Sequence, residues 1–552
     1  RGGSWEVISE DLSRQIDRNR LPIMDRYWGP EAIALHKSTS IYGNIVTLKE
    51  HPTNPGELWA GTDDGLVWKT KDDGQNWSSL KNFNVLPKTQ VGSLSLPLVY
   101  VQDILLSKHD PKTIYTVFNN HKNGDFKPYI FRSTNGGKNW TSIVSNLPEK
   151  GSVYSIAEDH INSDLLFAGT EFGLWFTLDG GNTWAELNTG LPTIAVRDIA
   201  IQERENDLVL ATFGRGFYVL DNYSPLREMN YILEQDAAFF TTKPGLLFNR
   251  ANIGGIDYKG GQHYRSKNPP VGVTFELFIK DKGVKVKDNR PEVNNDLPHY
   301  PNMEQLQAED WEESGYLLFE VANSAGDKVA RFTRKDRSGI ERFTWNGKYS
   351  STAETSTNAE PKTNPSTTTF VLPGTYEISV FRSTNGVLTE LIAGHAFEVN
   401  HLYDYESIDM EFNQEVDRVY ATSNEVMSRF DKLSDALTAL RAGLRNTPGT
   451  SMEDLNAART IAVSIKQLGL LINGNRSLTK REVETASSLG DVMGLLAWGA
   501  WNHRGMPTGT MKNLLEDAKM MISDAQRQLD NINESVQALE AKAKAQGVPY
   551  WD

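Results

Sequence analysis

Apolar and polar residues alternate in short runs from the N-terminus to about residue 400, and then the period changes. Segments such as LFAGTEFGLWFT (Leu166 to Thr177), TFELFIKD (Thr274 to Asp281) and TYEISVFRS (Thr375 to Ser383) predict half-buried strands separated by turn residues. After about Tyr405 the spacing becomes helical. Met511, Leu514, Leu515, Ala518, Ile522, Ala525, Leu529, Ile532, Val536 and Leu539 form one stripe at three-to-four spacing. Similar stripes cover 405–443, 452–472 and 480–500, broken by Asn446-Thr-Pro-Gly, Asn473-Gly and Arg504-Gly-Met-Pro. Four antiparallel helices burying a common core follow from that pattern.

A single motif recurs in the strand-rich region: TKDDGQNW (Thr70 to Trp77), STNGGKNW (Ser133 to Trp140) and TLDGGNTW (Thr177 to Trp184). All fit Ser/Thr-x-Asp-x-Gly-x-x-Trp, with Asn135 in place of Asp in the second. The strand pair LWAGTDDGLVWKT (Leu58 to Thr70) matches LFAGTEFGLWFT, and LVLATFGRGFYVLDN (Leu208 to Asn222) keeps the strands without the motif. Spacings of roughly 45 to 60 residues suit one four-stranded propeller blade each. The motif's chemistry is local. Asp72, Asn135 and Asp179 are placed to accept hydrogen bonds from amides of a tight loop. Gly74 and the pairs Gly136–Gly137 and Gly180–Gly181 supply backbone conformations that a Cβ penalises. Trp77, Trp140 and Trp184 are expected to wedge between neighbouring sheets, with Thr70, Ser133 and Thr177 opening each loop. Aligning Trp5 with the motif Trp puts Gly2 on its Gly, so the chain is expected to start inside such a motif, with blades preceding it.

In the order of these segments the chain resembles the bacterial Asp-box (BNR-repeat) proteins with sortilin-like, glycosyl-hydrolase-like propellers. The resemblance runs from SWEVISEDLSR through FNNHKNGDFKPYIFRSTNGGKNW and NDLVLATFGRGFYVLDNYSPLRE to NPPVGVTFELFIKD, GIERFTWNGKY and LPGTYEISV, about residues 1 to 400. It implies export and a cell-surface, periplasmic or outer-membrane setting. Phe213 departs from the family's T-H-G-R-G run. The architecture expected is mainly β with an all-α tail. Propeller blades span 1–228, an immunoglobulin-like β-sandwich 229–402 with polar insertions at about 287–314 and 350–369, and a helical bundle 403–552.

Composition narrows the chemistry. A formal net charge of −14, with no basic stripe, argues against a nucleic-acid partner. Cysteine is absent, which excludes disulfides, thiolate metal sites and a Cys nucleophile. No apolar run approaches the ~18–20 residues that span a bilayer. No nucleophile elbow, P-loop, HExxH or dinucleotide fingerprint occurs. The ten His show no metal-ligand spacing, so neither a metal nor a cofactor is implied. The acidic run Glu309, Asp310, Glu312, Glu313 reads as a solvated charge cluster rather than a cation site.

The leading expectation is therefore a binding or scaffold module for a peptide, glycan or assembly partner, with His121, Arg215, Trp498 and Trp501 as binding candidates. The helical tail, with Trp498, Trp501, Tyr550 and Trp551, is the candidate surface for a larger assembly or a secretion-linked complex. The alternative is a glycoside hydrolase of sialidase or xyloglucanase type. It needs two carboxylates across one cleft, about 5–5.5 Å or 6.5–9.5 Å apart, and Asp63, Asp64 and Glu171 are the acidic candidates near strand ends. DDG and EFG are equally ordinary hairpin turns.

Overall fold

A computed structural model describes the chain except residues 1–2, 23–25, 34–41, 81–82, 84–85, 92–93, 250–267, 290–300, 352–367, 403, 504 and 550–552. Tyr550, Trp551 and most of the second polar insertion lie outside the described residues. The chain divides into two compact units, Arg1–Tyr231 and Ile232–Asp552.

The first unit is a succession of antiparallel meanders. Strands β1 (Ile45–Glu50), β2 (Leu58–Thr62), β3 (Val67–Thr70) and β4 (Ser78–Leu80) form the first sheet in sequence order. A small hairpin, β5 (Thr89–Val91) and β6 (Leu94–Leu96), precedes the second sheet, β7 (Tyr100–Leu106), β8 (Ile114–Asn119), β9 (Tyr129–Ser133) and β10 (Thr141–Ser142). The third is β11 (Val153–Glu158), β12 (Leu166–Thr170), β13 (Gly173–Thr177) and β14 (Ala185–Glu186). A three-stranded sheet, β15 (Val196–Gln202), β16 (Asp207–Thr212) and β17 (Phe217–Leu220), completes the series. The first strands of successive sheets stand side by side, β1 with β7, β7 with β11 and β11 with β15. This is the arrangement of β-propeller blades. Gly61 and Gly169 permit the close approach. A Cβ on Gly61 would lie 2.4 Å from Val101 Cγ1, and one on Gly169 2.7 Å from the Val196 carbonyl.

The repeated loops at β3–β4, β9–β10 and β13–β14 have one hydrogen-bond plan. Asp72, Asn135 and Asp179 each accept, through Oδ1, the amide four residues on (Asn76, Asn139, Thr183) at 2.8–2.9 Å. Each also accepts the hydroxyl of Thr70, Ser133 or Thr177. That hydroxyl in turn accepts the amide of Gly74, Gly137 or Gly181 at 2.9–3.1 Å. All of these glycines, with Gly136 and Gly180, have positive φ. Burial alone would raise the Asp179 carboxyl, but the hydrogen bonds from Thr183, Thr177 and the loop amides together hold it at about 2. The loops also staple blade to blade, because Lys69 Nζ donates to the Gly136 carbonyl and Arg132 Nη1 to that of Gly180.

The tryptophans differ more than the motif predicts. Trp184 is buried and donates to the Ile143 carbonyl at 2.7 Å, while Trp140 packs on Phe83 at 4.8 Å. Trp77 is half-buried and donates to the Ile8 carbonyl. Trp5 is 92% exposed, so its expected wedging is absent. Ile8 and Leu12 follow Trp5 at the intervals by which Ile143 and Leu147 follow Trp140, and Ile8 receives the indole bond that Ile143 receives.

In the second unit two sheets share one apolar core. One sheet has the order β18 (Ala237–Phe239), β20 (Val273–Ile279), β23 (Gly339–Trp345). The other has the order β19 (Gly245–Leu247), β25 (Val387–His401), β24 (Gly374–Thr384), β21 (Tyr316–Asn323), β22 (Lys328–Lys335). Phe275, Phe319, Phe343, Trp345, Ile378 and Phe397 meet between them. The first polar insertion, expected to be loop, contains a helix at Met303–Asp310, because Asn302 and Gln305 form a reciprocal capping box. Within the acidic run, Glu312 accepts the Val286 amide.

Long helices follow at Met410–Asn446, Met452–Asn473, Leu489–Asn502 and Gly509–Ala545, with one common core. The third starts nine residues later than the pattern predicts, where Ser488 and Asp491 cap it reciprocally. Trp501, expected at a binding surface, is half-buried. Its indole donates to Asp417 at 2.7 Å and its ring meets Tyr420 edge-on. Trp498 is 70% exposed. Among the described residues no helix is long and apolar enough to cross a membrane.

Candidate functional site

Each inner strand of the first unit carries the same irregularity one or two residues from its start of pairing. Val46, Gln102, Tyr154 and Arg197 are each an extra residue against the partner strand, since pairing resumes with Thr47↔Gly61, Asp103↔Val117, Ser155↔Gly169 and Asp198↔Ala211. A bulge leaves its residue outside the ladder and re-aims the side chain. Four equivalent bulges therefore place an apolar group, an amide, a phenol and a guanidinium at one level of four neighbouring strands.

The last two of these meet. Arg197 lies over the Tyr154 ring at 3.8 Å, with the Phe213 ring on it at 5.0 Å. Tyr154 is buried, and its hydroxyl donates to Glu171, the turn residue after β12. Burial and that bond push the Tyr154 phenol up to about 12. Among the described residues no hydrogen bond or ion pair engages the Arg197 guanidinium, and its Nε is buried without a partner.

His121 belongs to the same neighbourhood. Asn119 Oδ1 can only accept, and it lies 2.5 Å from His121 Nδ1 and 3.1 Å from the His121 amide, so Nδ1 carries the proton. Burial first, then Lys122 and Arg197, hold this imidazole below its usual range, against an opposing pull from Glu171. Lys122 sits over the Tyr100 ring at 4.6 Å.

The other sequence candidates have different settings. Asp63 accepts the amides of Gly43 and Asn44 at 2.8 and 2.9 Å, and the Asn44 side chain at 3.0 Å. Asp64 is fully buried, with the Thr62 hydroxyl on one oxygen and the Arg14 amide on the other. Both carboxylates thus tie chain segments to the β2–β3 turn. Arg215 is exposed at the tip of the β16–β17 turn, two residues from Phe213. Glu171 is bonded to the Tyr154 over which Arg197 lies, and His121 feels the charges of both Arg197 and Glu171, whereas Trp498 and Trp501 belong to the other compact unit. Among the described residues no group of three or more His, Asp or Glu is arranged to hold a metal ion.

Sequence reasoning missed Tyr154, Arg197 and Gln102. A signal existed in the aligned triplets Ile45-Val-Thr, Val101-Gln-Asp, Val153-Tyr-Ser and Val196-Arg-Asp, whose outer positions are alike and whose middle position varies.

One bulge neighbour supports a pH test. Asp103 is largely buried, 3.6 Å from Lys49 Nζ, and accepts the Ile104 amide at 2.9 Å. Burial pushes its carboxyl up to about 6, with Lys49 and two amides pulling the other way. A raised folded-state value means that ionised Asp103 destabilises the fold above pH 6, and the effect fades as pH falls toward the unfolded value. Asp103→Asn is expected to remove about 2 kcal/mol of stability gain between pH 7.5 and 4.5. Urea titrations of both proteins at the two pH values check this; parallel pH profiles refute it.

No family model matches the chain, and no curated protein matches it. Among solved structures it is similar to YCF48 bound to D1 peptide, at 15% identity and a TM-score of 0.23 over 33% of this chain and 55% of that one. It is also similar to YCF48 from Cyanidioschyzon merolae, at 18% identity and a TM-score of 0.25 over 33% and 54%. A third is an ancestral GH74 enzyme, at 11% identity and a TM-score of 0.27 over 63% and 39%. The chain thus spans about half the length of the two YCF48 structures. Scores of this size carry no functional argument, and the blades are assigned from strand order and loop hydrogen bonds.

Proposed function

We propose that the chain is a binding module that captures a partner on the bulged end of its blades. The observation that carries this reading is the Arg197–Tyr154–Phe213 stack, a cation and aromatic surface with an unused guanidinium. Exposed Phe172, on the β12–β13 turn, and Phe217, the first residue of β17, lie near it in sequence. Large apolar groups left in water beside an unpaired cation are features of interaction surfaces. The acidic candidates for hydrolysis favour structure over chemistry: Asp63 and Asp64 are held by backbone amides, and Glu171 by Tyr154. In this reading the second unit is an immunoglobulin-like sandwich carrying an antiparallel helical bundle, and the whole works outside the cytoplasm.

The test is an array of random peptides and of glycans probed with the full chain. Binding without turnover is expected, weakened at least tenfold by combined Phe172→Ser and Phe213→Ser. Release of glycan product that disappears in Glu171→Gln or Asp63→Asn would instead establish the hydrolase.

A further inference from the structure

A guanidinium packed close to two rings, with a buried Nε–H that meets no acceptor, is an unusual resting state for the most strongly basic side chain. Nearby acceptors are already engaged. Glu171 takes the Tyr154 hydroxyl, and the Asn119 oxygen takes two donors from His121. The planar fork of Arg197 thus keeps a bidentate site that the chain leaves unfilled.

We propose that Arg197 anchors a carboxylate of a peptide ligand through a fork-to-fork pair, with the Tyr154 and Phe213 rings as walls. The inference rests on the binding reading above and names its ligand class. Phe213 sits on an exposed turn followed by Gly214 and Gly216, both at positive φ, so the outer wall of the site is the one that can adapt to a ligand. A single negative charge suits the surroundings. Glu171, bonded to the Tyr154 under this guanidinium, opposes a second charge, and His121 is held toward its neutral form, which together disfavour a phosphate dianion. A peptide suits them better than an acidic sugar. Among the local groups that sugar hydroxyls would need, the Asn119 oxygen is taken by His121 and the Glu171 carboxylate by Tyr154.

Fluorescence polarisation with labelled hexapeptide pools built from Ala, Ser, Leu and Phe tests this on the full chain. One pool ends in a free carboxylate, a second is amidated with one internal Glu, and a third is amidated and lacks acid. Tighter binding of the first pool assigns a chain terminus, and of the second a side chain. Either is expected to exceed the third at least tenfold, with Arg197→Ala erasing the difference and Arg197→Lys restoring some of it. The unfolding transition of each variant confirms that it folds. Equal binding of all pools that is lost in Phe213→Ser would overturn the carboxylate and leave the binding module standing. No binding by any pool, or Arg197-dependent binding of oligoglucuronate alone, overturns the peptide assignment.

Discussion

Replacing Asp159 by alanine is expected to destabilise the first unit by about 3–5 kcal/mol, the range for removing one partner of a buried ion pair. Asp159 is fully buried where β11 turns toward β12. It accepts Arg227 Nε at 2.9 Å and Nη2 at 2.6 Å, the Tyr223 hydroxyl at 2.5 Å, and the amides of Ile161 and Asn162. Burial alone would push its carboxyl up, but Arg227 and Tyr223 outweigh burial and hold it below the usual range. Tyr223 and Arg227 follow the last blade strand, so this cluster ties the end of the fourth sheet to the third. Alanine leaves the half-buried Arg227 charge without its carboxylate. Asp159→Asn keeps the shape and should lose less. The sign of the pH effect follows from the depressed value: the stabilisation is present above the unfolded carboxylate range and is lost as pH falls through the folded one. Urea unfolding at pH 7 measures the loss, and a change under about 1 kcal/mol would refute the role.

The second large effect is expected at Gly272, where alanine should destabilise the second unit by about 3 kcal/mol or more. Its φ is +117°, a conformation that costs a side-chain-bearing residue roughly 1–3 kcal/mol. An added Cβ would also lie 2.0 Å from the Trp345 carbonyl and 2.8 Å from Asn346 Cα, both backbone atoms. Overpacking of this kind adds about 1–3 kcal/mol. Relief requires moving Gly272, which exchanges two backbone hydrogen bonds with Leu246 at 3.1–3.2 Å. Denaturant unfolding followed by Trp fluorescence reads the shift, since Trp345 is buried in that core. A variant as stable as the parent would show that the turn adapts freely.

What the chain discloses before folding depends on the range of the interaction. The Asp72, Asn135 and Asp179 loops are readable because the side-chain bonds they share link residues two or four apart. The last helix is equally plain, its stripe from Met511 to Leu539 facing one core. Trp77 and Trp184 occupy the same motif position, yet one is half-buried and the other buried, because burial depends on a neighbouring sheet that local spacing does not specify. Trp501 reads as a surface aromatic in the sequence because its acceptor, Asp417, is 84 positions away. The bulges were the hardest to see. One added residue leaves no mark in composition, and the alternation around Val153 and Val196 reads as an uninterrupted strand.

Those bulges separate two demands that usually compete. A residue in a regular ladder has its side-chain direction set by the pleat, so a change there disturbs the packing that folds the blade. Val46, Gln102, Tyr154 and Arg197 stand outside that constraint, while their neighbours on either side carry the pairing. Substitutions at Val46 and Gln102 would thus change the chemistry of that strand level while leaving the ladder's own pairs in place, whereas Tyr154 is buried and bonded to Glu171 and is less free to change.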